Sequence, residues 1–195
     1  MHFTRYEMYK SIFSALKLPL CGDILGISGL KYWVGSKNYK PPQKIIDDGA
    51  RITHADYPQV NILQLPYTAN SFDFVICDQV LEHIEGNIEK AVSEIHRVLR
   101  PGGKAIIATV FMNPIHYGPK DMWRFSPDAL QYLCKDFSRV VTCDGWGNRF
   151  AHALFLLYPR SRDWQIPERT FSIKHYLATK NDPLYPQATW IIAEK

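Results

Sequence analysis

Three groups of residues in this chain carry the chemistry to bind or transform a ligand. Asp78-Gln79 and Glu82-His83 follow directly on a short apolar run, Phe74–Cys77. A carboxylate and an amide side by side can hold a polar ligand, and His83 can serve as a general base or as a hydrogen-bond partner. Asp56 closes a second such run, where one carboxylate can accept bonds from two neighbouring hydroxyls such as those of a ribose. Asp47 and Asp48 compete for that role but precede the run. The third group, His116, Asp121, Trp123 and Arg124, sits in an aromatic stretch with Pro114 and Pro119 inside it, the composition of a lid or substrate pocket.

These residues need a scaffold, and the pattern around them supplies one. Phe74–Cys77 reads as a buried strand. From Ile84 to Leu99 the apolar residues recur at helical spacing, so Glu82 and His83 are expected to open that helix. Pro101-Gly102-Gly103 stops it and leads into another strand, Lys104–Val110. Strand, helix and strand make a right-handed βαβ unit in a parallel sheet, so the fold class is α/β. Open α/β sheets bind ligands at the carboxyl ends of their strands, where Asp78-Gln79 stands. Further strands are predicted at Asp23–Gly29 with its turn, Ala50–Ala55, Arg139–Cys143 and Thr189–Ala193. Helices are predicted over Tyr6–Leu18, from Ser126-Pro127-Asp128 to about Phe137, over Asn148–Tyr158 and over Glu168–Thr179. Gly29–Lys44, broken by Pro41-Pro42, reads as a loop.

Composition narrows the function classes. A chain of 195 residues that is 46% hydrophobic can bury one good core, so one domain over 1–195 is expected. The net charge of +4 comes without a Lys/Arg block, which argues against a nucleic-acid footprint or a membrane patch. Cys21, Cys77, Cys134 and Cys143 are scattered without a C-x-x-C pair, as reduced thiols of a cytoplasmic protein would be. The first ten residues lack an apolar signal core, and Ala151–Tyr158 is too short to span a bilayer. There is no Gly-Lys-Ser/Thr phosphate loop and no Gly-x-Gly-x-x-Gly turn, and the seven histidines show no ligand spacing, so no metal is expected.

The run Phe72–Ile84, followed by His96-Arg97-Val98-Leu99-Arg100-Pro101-Gly102-Gly103, resembles the class I S-adenosylmethionine-dependent methyltransferases, in particular the small type 11 group. The likeness extends from about Gly22 to about Trp146. It implies a Rossmann-like, doubly wound, seven-stranded and mostly parallel sheet in the order 3-2-1-4-5-7-6, with helices on both faces. Residues 1–20 would be an N-terminal helix, and 111–127 and 146–186 cap or lid insertions. The cofactor would be S-adenosylmethionine, released as S-adenosylhomocysteine. Gly26, Ile27, Ser28 and Gly29 would form its turn, Asp56 would hold the ribose, Asn61 and Ile62 the adenine, and Asp78 and Gln79 the sulfonium end. The first turn departs from the family pattern, because Gly26 stands where an acid normally holds the cofactor's amino group. His83 and His116 are the candidate catalytic residues, and Asp121, Trp123 and Arg124, with His116, the candidate substrate contacts; the alternative for Trp123 and Arg124 is that they pin the loop to the sheet. The implied function is methyl transfer to a small molecule, such as a sugar or another hydroxyl compound. The alternative is a degenerate fold that binds a ligand or protein without catalysis. The oligomeric state is not implied.

Overall fold

A computed structural model describes residues 3–28, 30–35, 41, 43–116, 119–166 and 172–195. Helix α1 (Tyr6–Ser14) is followed by β1 (Asp23–Ile27), the short α2 (Lys31–Val34), β2 (Arg51–Ala55) and β3 (Phe72–Asp78). Then come α3 (Ile88–Val98), β4 (Leu99–Val110), α4 (Pro127–Leu133), β5 (Arg139–Trp146), α5 (Arg149–Leu157), α6 (Ile173–Thr179) and β6 (Ala188–Glu194). The strands form one sheet in the order β2-β1-β3-β4-β6-β5. β1 to β4 pair in parallel, and β6 inserts antiparallel between β4 and β5. The carboxyl ends of β1 and β3 are level, with Ile27 beside Cys77, and Asp78 faces Ala108 of β4.

Adjacent apolar residues on each inner strand face opposite ways, so both sides of the sheet are buried. Ile24, Ile76, Ile106 and Ile192 pack with α1, α5 and their neighbours, including Phe3, Tyr9, Phe13, Trp146 and Trp190. Leu25, Val75, Ile107 and Ile191 pack on the other face with Ala91, Val92, Ile95 and Val98 of α3 and Leu130 of α4. Each of these large side chains contributes about 1.5–3 kcal/mol by leaving water. Helices therefore cover both faces of an α/β sheet, as expected.

Several boundaries differ from the sequence reading, each for a local reason. Glu82 and His83 belong to a separate 3-10 turn, Leu81–His83, instead of opening α3. Gly86 at φ +151° breaks the path, and α3 starts only where the Asn87 side chain accepts from Lys90 N at 2.9 Å. β4 begins at Leu99 and runs through the Pro-Gly-Gly turn, because Leu99 pairs with Phe72 and Gly102 N donates to Lys195 O at 2.8 Å. Gly103 is needed there, since a Cβ would sit 2.9 Å from Arg100 O and 3.0 Å from Asp73 O. The Gly29–Lys44 loop contains α2. Among the described residues the sheet has six strands, one fewer than the seven expected, and residues between β2 and β3 include only a 3-10 turn, Ile62–Gln64. Ser126 caps α4 with Pro127 in its first turn, as predicted. The first part of the helix predicted over Glu168–Thr179 lies outside the described residues.

Candidate functional site

The carboxyl edge of the sheet gathers the first group of predicted residues. Ser28 leaves β1 at φ +66°, the left-handed conformation that a glycine would take more easily, and so turns the chain sharply across the strand end. Gly29 lies outside the described residues. Leu30, 2% exposed, folds back over β1, so that a Cβ on Gly26 would lie 2.6–2.9 Å from three Leu30 side-chain carbons. The place of the missing acid is thus filled by an apolar side chain. Asp23, the nearest acid in sequence, is at the opposite end of β1. It binds Arg51 and Arg100 there, which hold its carboxyl down to about 2.

Asp78 and Gln79 close β3. Asp78 is 7% exposed, and its Oδ2 accepts from Tyr9 Oη at 2.5 Å and from Trp33 Nε1 at 3.3 Å. Burial, then the Asp78 charge, push the Tyr9 phenol well above its usual range, so it stays a donor. Asp78 Oδ1 and Gln79 Nε2 are buried without a hydrogen-bond partner. Gln79 holds a positive φ of 59°, and its Oε1 receives Arg5 Nη2 at 3.4 Å. Such orphaned polar atoms are costly unless a ligand satisfies them.

At the neighbouring strand ends, Asp56 is exposed at the end of β2 and its carboxylate could accept a diol. Asn61 Oδ1 accepts from Leu63 N at 2.9 Å, which caps the 3-10 turn and buries Ile62. The segment after it is clamped from α3. Leu65 N donates to Glu94 Oε2 at 2.9 Å, while Arg97 donates to the Leu65 and Tyr67 carbonyls. Arg97 beside it holds the Glu94 carboxyl down to about 2.

A cavity of about 320 Å³ opens beside Gln79, lined among others by Arg5, Lys31, Tyr32, Asn113, His116 and Arg162. Gln187 on its wall donates to Asn113 Oδ1 at 2.7 Å, and Arg162 donates to the same oxygen. Arg162 Nη1 and Gln187 Oε1 are left without partners. The cavity's charge is mostly positive, with Asp163 as the carboxylate on its lining.

The loop after β4 straps this cavity to the 81–85 turn. Met122 N and Trp123 N donate to Glu82 O, and Trp123 Nε1 donates to Ile84 O at 2.9 Å. Arg124 binds Asp121 and the Asn113 carbonyl, and holds the Asp121 carboxyl well below the usual carboxylate range. Asp121 and Arg124 thus bond within the loop and Trp123 bonds Ile84 O; none of the three is on the cavity lining, whereas His116 is. His83 and His116, distant in sequence, meet with ring centroids 4.9 Å apart. Burial lowers the His116 pKa, which favours the neutral ring. Periodicity could not have found Arg5, Asn113, Arg162 or Gln187, because each lies at an element's edge and the chain crossings alone bring them together.

A family model described as a methyltransferase domain matches residues 20–107. Among curated relatives, the Methanocaldococcus jannaschii protein MJ0638 is 50% identical over 50 residues, 26% of this chain and 21% of its own. A second protein of that organism, MJ1123, is 29% identical over 154 residues, 72% of this chain and 73% of its own. The chain thus spans about a fifth of one and about three quarters of the other. A solved S-adenosylmethionine-dependent methyltransferase from Archaeoglobus fulgidus superposes with a TM-score of 0.52 at 15% identity, covering 99% of this chain and 92% of that one. At that identity the likeness concerns the fold. Among the described residues no helix is long and apolar enough to cross a membrane. The motif from Phe72 to Gly103 lies in the matched segment: residues 20–107 are similar to the methyltransferase-domain family, and the chain shares the fold of that solved methyltransferase.

Proposed function

We propose that this chain transfers a methyl group from S-adenosylmethionine to a hydroxyl of a small molecule, a sugar or similar acceptor, held in the cavity beside Gln79. The observation that carries this reading is the pair of orphaned atoms at the end of β3, Asp78 Oδ1 and Gln79 Nε2, with Gln79 on the lining of that cavity. A buried acceptor next to a buried donor, with the Arg5 guanidinium behind, complements an ammonium and a carboxylate on one amino-acid group. Asp56 suits the ribose, and Asn61 keeps a second lone pair for the adenine amino group beside Ile62. The small turn of Gly26, Ile27 and Ser28 lets the ligand approach the backbone. The residues present therefore fit the cofactor, with Asp78 doing what the acid missing at Gly26 would do.

When bound, S-adenosylmethionine supplies a methyl group on a sulfonium that is already an activated leaving group. What remains for the chain is alignment and exclusion of water, and alignment alone can lower a barrier by about 7–11 kcal/mol. At the cofactor end the Tyr9 ring meets Tyr32 at a tilt and Trp33 edge-on, and the described parts of 111–127 and 146–186 act as a cap on one domain. An acceptor hydroxyl must lose its proton, and the His83–His116 pair is the group placed to manage that step. Asp121 and Arg124 act through His116, and Trp123 through the strap. The free thiols suit a reducing compartment such as the cytoplasm.

The second reading, a binding module without catalysis, draws on Gly26 and its apolar filling by Leu30. Transfer of labelled methyl from S-adenosylmethionine across a panel of sugars and phenols separates the two. Label in an acceptor, lost in Asp56→Ala, supports the enzyme. Cofactor binding with no transfer to any acceptor class supports the module.

A further inference from the structure

The cap and the 81–85 turn bring together three groups whose proximity the sequence conceals. Glu82, His83 and His116 each offer a ligand atom, and all these atoms lie within 4.8 Å of one another. We propose that they form a binding site for one divalent transition cation, of the zinc or manganese class, at the edge of the acceptor cavity. This inference deepens the proposed methyl transfer and rests on it for its purpose, but not for its chemistry.

Three observations support it. Glu82 is 0% exposed, and its Oε2 is held by Thr109 Oγ1 at 2.8 Å, while Oε1 is buried with no partner. A buried carboxylate oxygen left bare is costly, and a cation would satisfy it. His83 Nδ1 lies 2.8 Å from Lys120 O, and a carbonyl can only accept, so the proton is on Nδ1 and the Nε2 lone pair is free. His116 Nδ1 accepts from Asn113 Nδ2 at 3.2 Å and lies 3.0 Å from Asp121 Oδ2, so on loading a cation at Nε2 the proton moves to Nδ1, where the Asp121 carboxylate faces it. A backbone carbonyl and a carboxylate behind two imidazoles are the supports that orient histidine ligands.

Two imidazoles and one carboxylate leave coordination positions open, and they suit zinc, manganese or iron better than magnesium. Ligands bound at about 2.0–2.2 Å stand closer together than 4.8 Å, so the cluster must contract on loading. The partly exposed His116, 41% accessible at its side chain, has room to do so. Because His116 also lines the cavity, an open position can meet an acceptor oxygen and ease the loss of its proton.

The test is calorimetric titration of chelator-treated full-length protein with zinc chloride and manganese chloride, with magnesium chloride as the contrast. The expected result is one zinc per chain and no saturable magnesium binding, with zinc binding lost in His83→Ala and in His116→Ala. Both histidines are partly exposed, so these variants keep the core, and circular dichroism checks it; Glu82→Gln adds an isosteric variant. Cobalt loading should give a visible absorption band that His116→Ala abolishes. No saturable zinc binding, or zinc binding that survives both histidine variants, overturns the site. S-adenosylmethionine titrated separately keeps the outcomes distinct: cofactor binding without metal binding would sink this inference and leave the methyltransferase reading standing.

Discussion

Gly26→Ala probes the strand end most sharply. The added Cβ would stand 2.6, 2.7 and 2.9 Å from Leu30 Cδ1, Cγ and Cδ2, closer than packed carbons can approach. Leu30 is 2% exposed and has nowhere to retreat without shifting the start of α2, whose Trp33 bonds Asp78. Overpacking of this kind costs about 1–3 kcal/mol, a fall in Tm on the order of 2–4 °C for each kcal/mol in a chain of this size. Leu30→Ala alone leaves a cavity worth about 2–5 kcal/mol. In the double variant the new methyl enters the vacated space, so the two losses should combine to about 1–3 kcal/mol less than their sum. Urea denaturation of the four proteins measures this coupling. Additivity to within about 0.5 kcal/mol would refute the account of Gly26 as a close-packing glycine. The same geometry predicts that Gly26→Glu weakens cofactor binding, because the longer side chain enters only by displacing Leu30. The sequence alone suggests that Gly26→Glu together with Ser28→Gly raises affinity if the turn has degenerated.

Three further outcomes are expected. Asp56→Ala should bind S-adenosylhomocysteine about 10- to 100-fold more weakly with an unchanged Tm, as loss of charge-assisted bonds at an exposed side chain implies; a matching fall in Tm would assign Asp56 a structural role. Asn148→Ala should cost about 2–3 kcal/mol in urea denaturation, because this buried side chain caps α5 at Ala151 N and ties α6 through the Leu177 and Lys180 carbonyls. For Glu94, whose carboxyl is held down to about 2 from 4.5, the pair's contribution is complete above pH 4.5 and is lost as pH falls towards 2. Partial exposure of Arg97 and Lys90 holds that contribution to about 1–2 kcal/mol, so Glu94→Gln should flatten the acid limb of the stability profile by that amount.

The βαβ unit was legible because its signals are local. Apolar runs, helical spacing and the Gly102 turn each act within a few residues. Asp78-Gln79 could be placed at a strand end for the same reason. Asn61 as a turn residue is a local signal, since it caps Leu63 N two residues on, whereas the burial of Ile62 was only half visible because it depends on packing with distant elements. The ion pair of Asp121 with Arg124 could not be told in advance, because a charged pair in a loop looks alike in sequence whether it faces a ligand or braces its own backbone. Arg5, Arg162 and Gln187 were invisible, because their meeting depends on β6 inserting between β4 and β5 and on the N-terminal segment crossing the strand ends. Gly86 shows how one residue at positive φ moved a helix start and turned Glu82 and His83 into a separate platform.

Binding of S-adenosylmethionine and S-adenosylhomocysteine, followed by calorimetry on the purified chain, tests the central claim most directly. One site per chain with micromolar affinity, weakened by Gln79→Ala, is the predicted result. No heat of binding at millimolar cofactor would contradict it and leave Asp78 and Gln79 as part of a non-catalytic binding surface.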